Sequence, residues 1–180
     1  MALFRSTERL NLRSYKESDL DTIQDLWNEL EVQQNTAMDH VVPRGPKFKE
    51  TIKGWLDNDR FHAIIEVKET NEFVGLVTIR DDNVKNRDGD LAINLTKSQW
   101  GKGYGQEVLK FVVDYAFRGL RCHRLSLGVF DSNERAVKLY KKIGFVEEGR
   151  IRKANWVDGE WRDVVLMAIL DEEWKAELPQ

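Results

Sequence analysis

Three glycines at alternate positions, Gly101, Gly103 and Gly105, constrain the fold of this chain more than any other feature of its sequence. They follow an alternating apolar segment that ends near Leu95 and precede an amphipathic segment, so they form a turn from a strand into a helix. Glycine lets the backbone adopt positive φ and come close to a ligand. The N–H groups that begin a helix have no intrahelical partner and attract anions. The turn is therefore a candidate phosphate site to which Lys102 adds a full charge, with a tight turn that binds no ligand as the alternative.

Two common phosphate-binding motifs do not fit this turn. A Walker loop requires G-x-x-x-x-G-K-[ST], and the residues after Gly103 do not continue in that way. The dinucleotide fingerprint G-x-G-x-x-G fails at Gln106. That fingerprint also opens a parallel sheet, whereas four predicted strands precede the turn here. The sequence therefore does not indicate a nucleotide-dependent enzyme of either type.

The hydrophobic spacing predicts a mixed α/β (α+β) domain. The predicted order is strand, two helices, three strands, the glycine turn with its helix, strand, helix and two strands. The predicted strands cover residues 10–14, 61–67, 73–80, 91–95 and 125–129, with two more between 145 and 170 that are joined near Asp158-Gly159. The predicted helices cover residues 18–30, 48–56, 108–117 and 133–143, and residues 81–88 are expected to form a loop.

Length and composition limit the class of protein. The 180 residues fit one domain, 1–180, since domains have about 100–200 residues. The net charge of -3 gives no indication of nucleic-acid binding. The longest apolar run, Val164 to Leu170, is far shorter than the roughly 20 residues of a membrane span. A single cysteine and the absence of a metal-like His spacing argue against a disulfide and a metal site. We therefore expect a cytoplasmic protein without a metal, a nucleic-acid partner or a membrane.

The glycine turn and a second block together resemble a known family. Trp100-Gly101-Lys102-Gly103-Tyr104-Gly105 resembles the acyl-CoA loop [QR]-x-x-G-x-[GA] of the GNAT acyltransferase superfamily, with Trp at the first position. Residues 133–145 resemble its block N-x-x-A-x-x-x-Y-x-[KR]-x-G-F, and Phe73-Val74-Gly75 resembles its third strand. The chain is most similar to the branch that contains ribosomal-protein N-terminal and polyamine acetyltransferases.

This resemblance implies a mostly antiparallel central sheet flanked by helices. It also implies an N-acetyltransferase that moves acetyl from the cosubstrate acetyl-CoA to a primary amine by direct attack in a ternary complex. The acceptor is expected to be a protein N-terminus or a small-molecule amine such as a polyamine. A non-catalytic module of the same fold that binds or senses acyl-CoA is the alternative.

The resemblance assigns a set of residues to cofactor binding. These are Leu95, Thr96, Trp100, Gly101, Lys102, Gly103, Tyr104, Gly105, Asn133 and Lys142. The backbone of Leu95 and Thr96 is expected to bind pantetheine, and the loop from Trp100 to bind phosphate. Lys142 belongs to a segment, residues 135–153, that holds seven basic and two acidic residues, net +5. This segment could face the CoA phosphates, or its charges could be solvated.

Two residues are candidates for proton transfer. An amine must lose a proton before it attacks, and a departing thiolate gains one. The resemblance places Tyr140 near the CoA sulfur as the acid, with a core tyrosine as the alternative. Asp90 is the candidate base, directly or through water, with a surface carboxylate as the alternative. Residues 16–31 carry six acids and one base, net -5, and either attract a cationic amine or form an ordinary solvated helix face.

The tryptophans at positions 156, 161 and 174 bear on oligomeric state. They are expected to belong either to the core or to the interface of a homodimer.

Overall fold

The computed structural model describes residues 3–176. Within them, the chain forms eight strands and six helices. They are β1 (Leu3–Ser6), β2 (Leu10–Arg13), α1 (Asp19–Leu26), α2 (Leu30–Thr36), α3 (Phe48–Asn58), β3 (Phe61–Val67), β4 (Phe73–Asn83), β5 (Asp88–Leu95), α4 (Tyr104–Arg118), β6 (Arg124–Phe130), α5 (Glu134–Ile143), β7 (Val146–Val157), β8 (Glu160–Leu170) and α6 (Asp171–Ala176), with a 3₁₀ turn at Lys97–Gln99. No helix in these residues is long and apolar enough to cross a membrane.

The strands form one sheet in the order β1-β2-β3-β4-β5-β6-β8-β7. The pairs β1–β2, β2–β3, β3–β4, β6–β8 and β7–β8 are antiparallel. The pair β5–β6 is parallel and aligns Asp90 with Ser126. This arrangement confirms the predicted fold class, a mixed α/β domain with a mostly antiparallel sheet.

Most predicted elements are present, and the differences have local causes. β3 has the predicted bounds, and Asp158 and Gly159 join β7 to β8 with φ of 52° and 78°. One long first helix was predicted, because apolar residues continue at helical spacing as far as Leu30. In the structure α1 ends at Leu26, and Leu30, which is 56% exposed, begins α2. The prediction of a loop at residues 81–88 is wrong at both ends, since β4 extends into it with the exposed residues 81–83 and β5 begins at the partly buried Asp88.

The chain divides into two compact units, and the first comprises residues 3–80 and 92–108. Its core forms where the apolar faces of α1 and α3 pack with β3 and β4, because both helices repeat apolar residues at the helical period. The buried cluster comprises Leu20, Ile23, Leu26, Val32, Ile52, Leu56, Ile64 and Leu76. Trp100, from the glycine turn, packs against this cluster.

A charged group is buried beside that core. Arg13, which is 4% exposed, donates two hydrogen bonds to Asp19, at 2.6 and 2.9 Å, and one to Glu66 at 2.6 Å. Burial raises the pKa of Asp19, but hydrogen bonds from Arg13 and from the Lys16 N–H outweigh it and hold that pKa below its usual value. The arginine thus links β2, the start of α1 and β3 through one guanidinium.

Replacement of Arg13 by Met is expected to lower the free energy of unfolding by about 3–5 kcal/mol at pH 7, because it removes the cation that pairs with the buried Glu66 and the partly buried Asp19. Because the native pKa of Asp19 is depressed, the stabilisation from this pair is present above the unfolded value of about 3.9 and is lost as the pH falls through the native pKa. The deficit of Arg13→Met should therefore shrink at pH 3.5. Urea unfolding at both pH values measures it, and a deficit below about 1 kcal/mol at pH 7 would contradict this role.

The second unit comprises residues 81–91 and 109–176. α5 has a side-chain cap at its start and a left-handed glycine at its end. The Asn133 side chain accepts a hydrogen bond from the Ala136 N–H at 3.2 Å, and Gly144 ends the helix with φ of 115°. Trp156 and Trp161 of the β7–β8 hairpin pack edge to face at 5.2 Å and are more than half exposed.

Candidate active site

The glycine turn is a row of backbone donors held in an unusual conformation. Gly101 and Gly103 have φ of 78° and 82°, values that L side chains rarely adopt, whereas Gly105 lies within α4 without positive φ. Within residues 3–176, no hydrogen-bond partner is found for the backbone N–H groups of residues 101–106. These donors begin a 15-residue helix, whose dipole adds partial positive charge. The turn therefore has the properties of an anion site.

Two polar contacts fix the side chains around the turn. Lys102 donates a hydrogen bond from Nζ to the Gln99 side-chain oxygen at 2.8 Å. Gln99 is 1% exposed and donates to Glu72 at 2.7 Å. Gln99 thus holds the ammonium group at the turn. Gln99 could not be identified from the sequence, because its partner Glu72 lies far away in the chain.

The end of β5 has most of its backbone groups already paired. The Trp100 indole N–H donates to the Leu95 carbonyl at 2.8 Å, so Trp100 ties the turn to this strand. The Thr96 N–H donates to the Val74 carbonyl at 3.0 Å, and the Thr96 carbonyl accepts from the Gln99 N–H at 3.0 Å. A cofactor that binds Leu95 and Thr96 therefore has to share these groups or use the remaining ones.

A close approach of backbone explains the glycine of the Phe73-Val74-Gly75 segment. A Cβ atom on Gly75 would lie 2.0 Å from the Asn94 carbonyl oxygen, so no other residue fits without movement of β5. The resemblance drawn at this segment therefore corresponds to a packing requirement between β4 and β5.

Tyr140 and Asp90, the two candidates for proton transfer, both lie in the second unit, where the charge of Asp90 acts on Tyr140. Tyr140 lies on α5, is 8% exposed and packs against Phe145 with ring centroids 5.8 Å apart. Burial and, secondly, the negative charge of Asp90 raise the pKa of Tyr140 to about 12. Tyr140 is therefore a neutral hydrogen-bond donor at any physiological pH.

The remaining predicted residues lie at the two ends of α5. Asn133 caps its start, and the exposed Lys142 lies in its last turn, about 13 Å away at 1.5 Å per residue. Several neighbouring charges are paired, since Lys138 bonds Glu134 while Lys141 and Arg150 bond Glu147. The structure therefore does not bring Asn133 and Lys142 together, and it holds Lys138, Lys141 and Arg150 of the basic segment in ion pairs.

A metal-binding constellation was sought in the same way. Among the described residues, no group of three or more His, Cys, Asp and Glu side chains is arranged to hold a metal ion.

Known proteins resemble this chain in sequence and in fold. The protein-family model described as acetyltransferase (GNAT) domain matches residues 9–146 of this chain. An uncharacterised N-acetyltransferase, p20, from Bacillus licheniformis is 28% identical over 176 residues, which cover 93% of this chain and 96% of that protein. Spermidine N(1)-acetyltransferase from Vibrio cholerae is 31% identical over 118 residues, 66% of this chain and 68% of that protein.

A solved structure extends this similarity to the fold. The crystal structure of spermidine N-acetyltransferase from Vibrio cholerae, in complex with CoA and spermine, matches with a TM-score of 0.83 and 27% identity. The match covers 93% of this chain and 98% of that one. The chain therefore belongs to the GNAT family of N-acetyltransferases.

Proposed function

We propose that this enzyme transfers the acetyl group of acetyl-CoA to a primary amine of a small polyamine. The observation that carries the proposal is the row of N–H groups at residues 101–106, which have no partner in the described part of the chain, in a fold that matches a structure containing CoA and spermine. Backbone donors at a helix N-terminus bind phosphate, and positive φ at Gly101 and Gly103 lets the chain approach it closely. The turn therefore fits the pyrophosphate of CoA, with Lys102 beside it.

Asp90 and Tyr140 are proposed to handle the two protons of the reaction. An alkyl amine with a pKa of about 10.4 is mostly protonated at pH 7, so the Asp90 carboxylate accepts its proton directly or through water. Tyr140 then donates its hydroxyl hydrogen to the departing sulfur as the C–S bond breaks, and the second proton that the nitrogen loses as the amide forms restores the neutral Tyr140 through water. Bound acetyl-CoA supplies the acetyl group and the thiolate leaving group.

The charge of Asp90 couples these two steps. A tyrosine with a pKa of about 12 is a weak acid toward a thiolate whose conjugate acid has a pKa of about 8.5. Once Asp90 has taken up a proton, its negative charge no longer raises the pKa of Tyr140. Tyr140 therefore becomes a stronger acid at the stage when the sulfur departs.

Replacement of Asp90 by Asn is expected to lower the pKa of Tyr140 below about 12, since it removes the charge while burial remains. Alkaline titration of the tyrosine absorbance measures this shift, with Tyr140→Phe subtracted to isolate one of the four tyrosines. An unchanged pKa of Tyr140 would show that the charge of Asp90 does not act on it, and would contradict the proposed coupling of the two proton transfers.

The acidic segment of residues 16–31 offers less attraction for an amine than its net charge of -5 suggests. Ion pairs from other elements neutralise many of its acids. These pairs are Lys53–Glu17, Arg13–Asp19, Lys49–Asp21 and Lys97–Glu31. The choice of a polyamine therefore rests on the similarity to spermidine acetyltransferases. A homodimer stays a prediction, for which the exposed Trp156–Trp161 pair offers apolar surface.

A screen of acceptors tests the proposed substrate class. Release of free thiol from acetyl-CoA should be at least about tenfold more efficient, as kcat/KM, with spermidine or spermine than with peptides that carry a free N-terminus. A preference for the peptides would move the acceptor to protein N-termini and leave the acetyltransferase assignment intact.

A further inference from the structure

We propose that Arg9 is a positioning residue that fixes the direction of the N–H groups in the glycine turn. The inference rests on the proposed role of that turn in holding CoA phosphates. Arg9 precedes β2 and lies 93 residues from Lys102, yet its guanidinium Nη1 donates a hydrogen bond to the Lys102 carbonyl at 3.0 Å. Its Cζ lies 4.9 Å from the centre of the Tyr104 ring, in the first turn of α4.

The peptide between Lys102 and Gly103 explains how this bond acts on a ligand. In a planar trans peptide the carbonyl and the following N–H point in opposite directions. Because Arg9 holds the Lys102 carbonyl on one side, the Gly103 N–H is directed to the other. With φ of 82°, Gly103 has no side chain to fix this peptide, so the turn depends on an outside contact. A pre-oriented donor binds an anion without first losing conformational freedom.

Glu107 in turn holds Arg9. Its Oε2 accepts from the Arg9 Nε at 2.8 Å, while its Oε1 accepts from the Arg9 backbone N–H at 2.8 Å and the Thr7 hydroxyl at 2.6 Å. Burial raises the pKa of Glu107, but these hydrogen bonds outweigh it and keep that pKa below its usual value. The carboxylate is therefore charged and balances the arginine.

This balance decides between two roles for Arg9. A lone guanidinium beside the turn would act mainly by attracting phosphate. Since Glu107 lies 2.8 Å from it and carries the opposite charge, the pair adds little net charge. The effect of Arg9 on a phosphate is therefore expected to come from the geometry of the turn.

The test compares ligands with and without the pyrophosphate, by titration calorimetry on the full chain. Arg9→Met should raise the Kd for CoA about tenfold, as expected for loss of one hydrogen bond to a charged group, and leave the Kd for pantetheine unchanged. In steady-state kinetics the same variant should raise KM for acetyl-CoA with kcat within about twofold. Arg9→Lys keeps the charge but not the forked geometry, so its Kd for CoA should lie between those of the unmodified enzyme and Arg9→Met.

Matched controls keep the outcomes separate. Lys68→Met removes the same charge from the exposed turn after β3 and should leave the Kd for CoA unaltered. Equal Kd values for CoA in Arg9→Met and the unmodified enzyme, or an equal loss toward pantetheine, would overturn the inference. If the unmodified enzyme releases no thiol from acetyl-CoA, the proposed function fails instead, and the Kd for inorganic pyrophosphate in the same variants then tests Arg9 directly.

Discussion

Replacement of Tyr140 by Phe is expected to lower kcat about a hundredfold or more, since a positioned acid contributes about 10²–10⁴-fold. The variant keeps the ring that packs against Phe145, so the fold and the Kd for CoA should not change. Within residues 3–176, no hydrogen bond from the Tyr140 hydroxyl is found, so its removal leaves no buried partner without a bond. The loss should therefore appear in turnover alone, measured by thiol release at saturating substrates.

Tyr115→Phe provides the matched control for this prediction. It deletes one hydroxyl from a half-buried tyrosine of the same unit, on α4, and should leave kcat unaltered. If Tyr140→Phe retained kcat within about twofold of the unmodified enzyme, Tyr140 would be a core residue and not the acid.

Replacement of Gly103 by Asp is expected to weaken CoA binding about a hundredfold. The aspartate adds a negative charge to the turn that is proposed to hold the cofactor phosphate. Its Cβ would lie 3.4 Å from Arg9 Nη2, but Glu107 already balances the charge of that guanidinium. Two like charges about 5 Å apart repel by about 3 kcal/mol at a surface-like dielectric. Its carboxylate can also accept hydrogen bonds from the N–H groups at the start of α4, as aspartate does at other helix starts. Binding should be measured by titration calorimetry with CoA.

Gly103→Asn separates charge from shape. Asn has nearly the same size, tolerates positive φ about as well as Asp and also caps helices, so it imposes a similar strain at φ of 82°. Because it lacks the charge, we expect it to weaken CoA binding about a hundredfold less than Gly103→Asp does. Unaltered CoA binding by both variants would show that the turn does not hold the cofactor.

The regular elements were predictable wherever apolar residues repeat at one period. The broad face of α4, from Val108 to Phe117, is buried as its spacing indicates. β1 was missed because its four residues are mostly exposed and carry no apolar alternation. The exposed end of β4 was missed for the same reason, since Asp81 to Asn83 extend the strand with exposed polar side chains alone.

The candidate site was predictable only in its local parts. The glycine turn and the α5 block are short, continuous motifs, so Gly103 and Tyr140 could be singled out from sequence. The contacts that support them join distant residues, as in Arg9 with Glu107, 98 positions apart. Hydrophobic period and turn chemistry carry no information on such pairs, so Arg9 became visible only in the folded chain.

The most direct measurement follows both products when acetyl-CoA and spermine are mixed with the enzyme. Free thiol is quantified by a colorimetric reagent, and acetylated amine by mass spectrometry in the same samples. One free thiol is expected for each N-acetylated spermine, with both products formed at least about a hundredfold more slowly by Tyr140→Phe. Thiol release without acetylated amine, or no release with any amine or peptide acceptor, would contradict it.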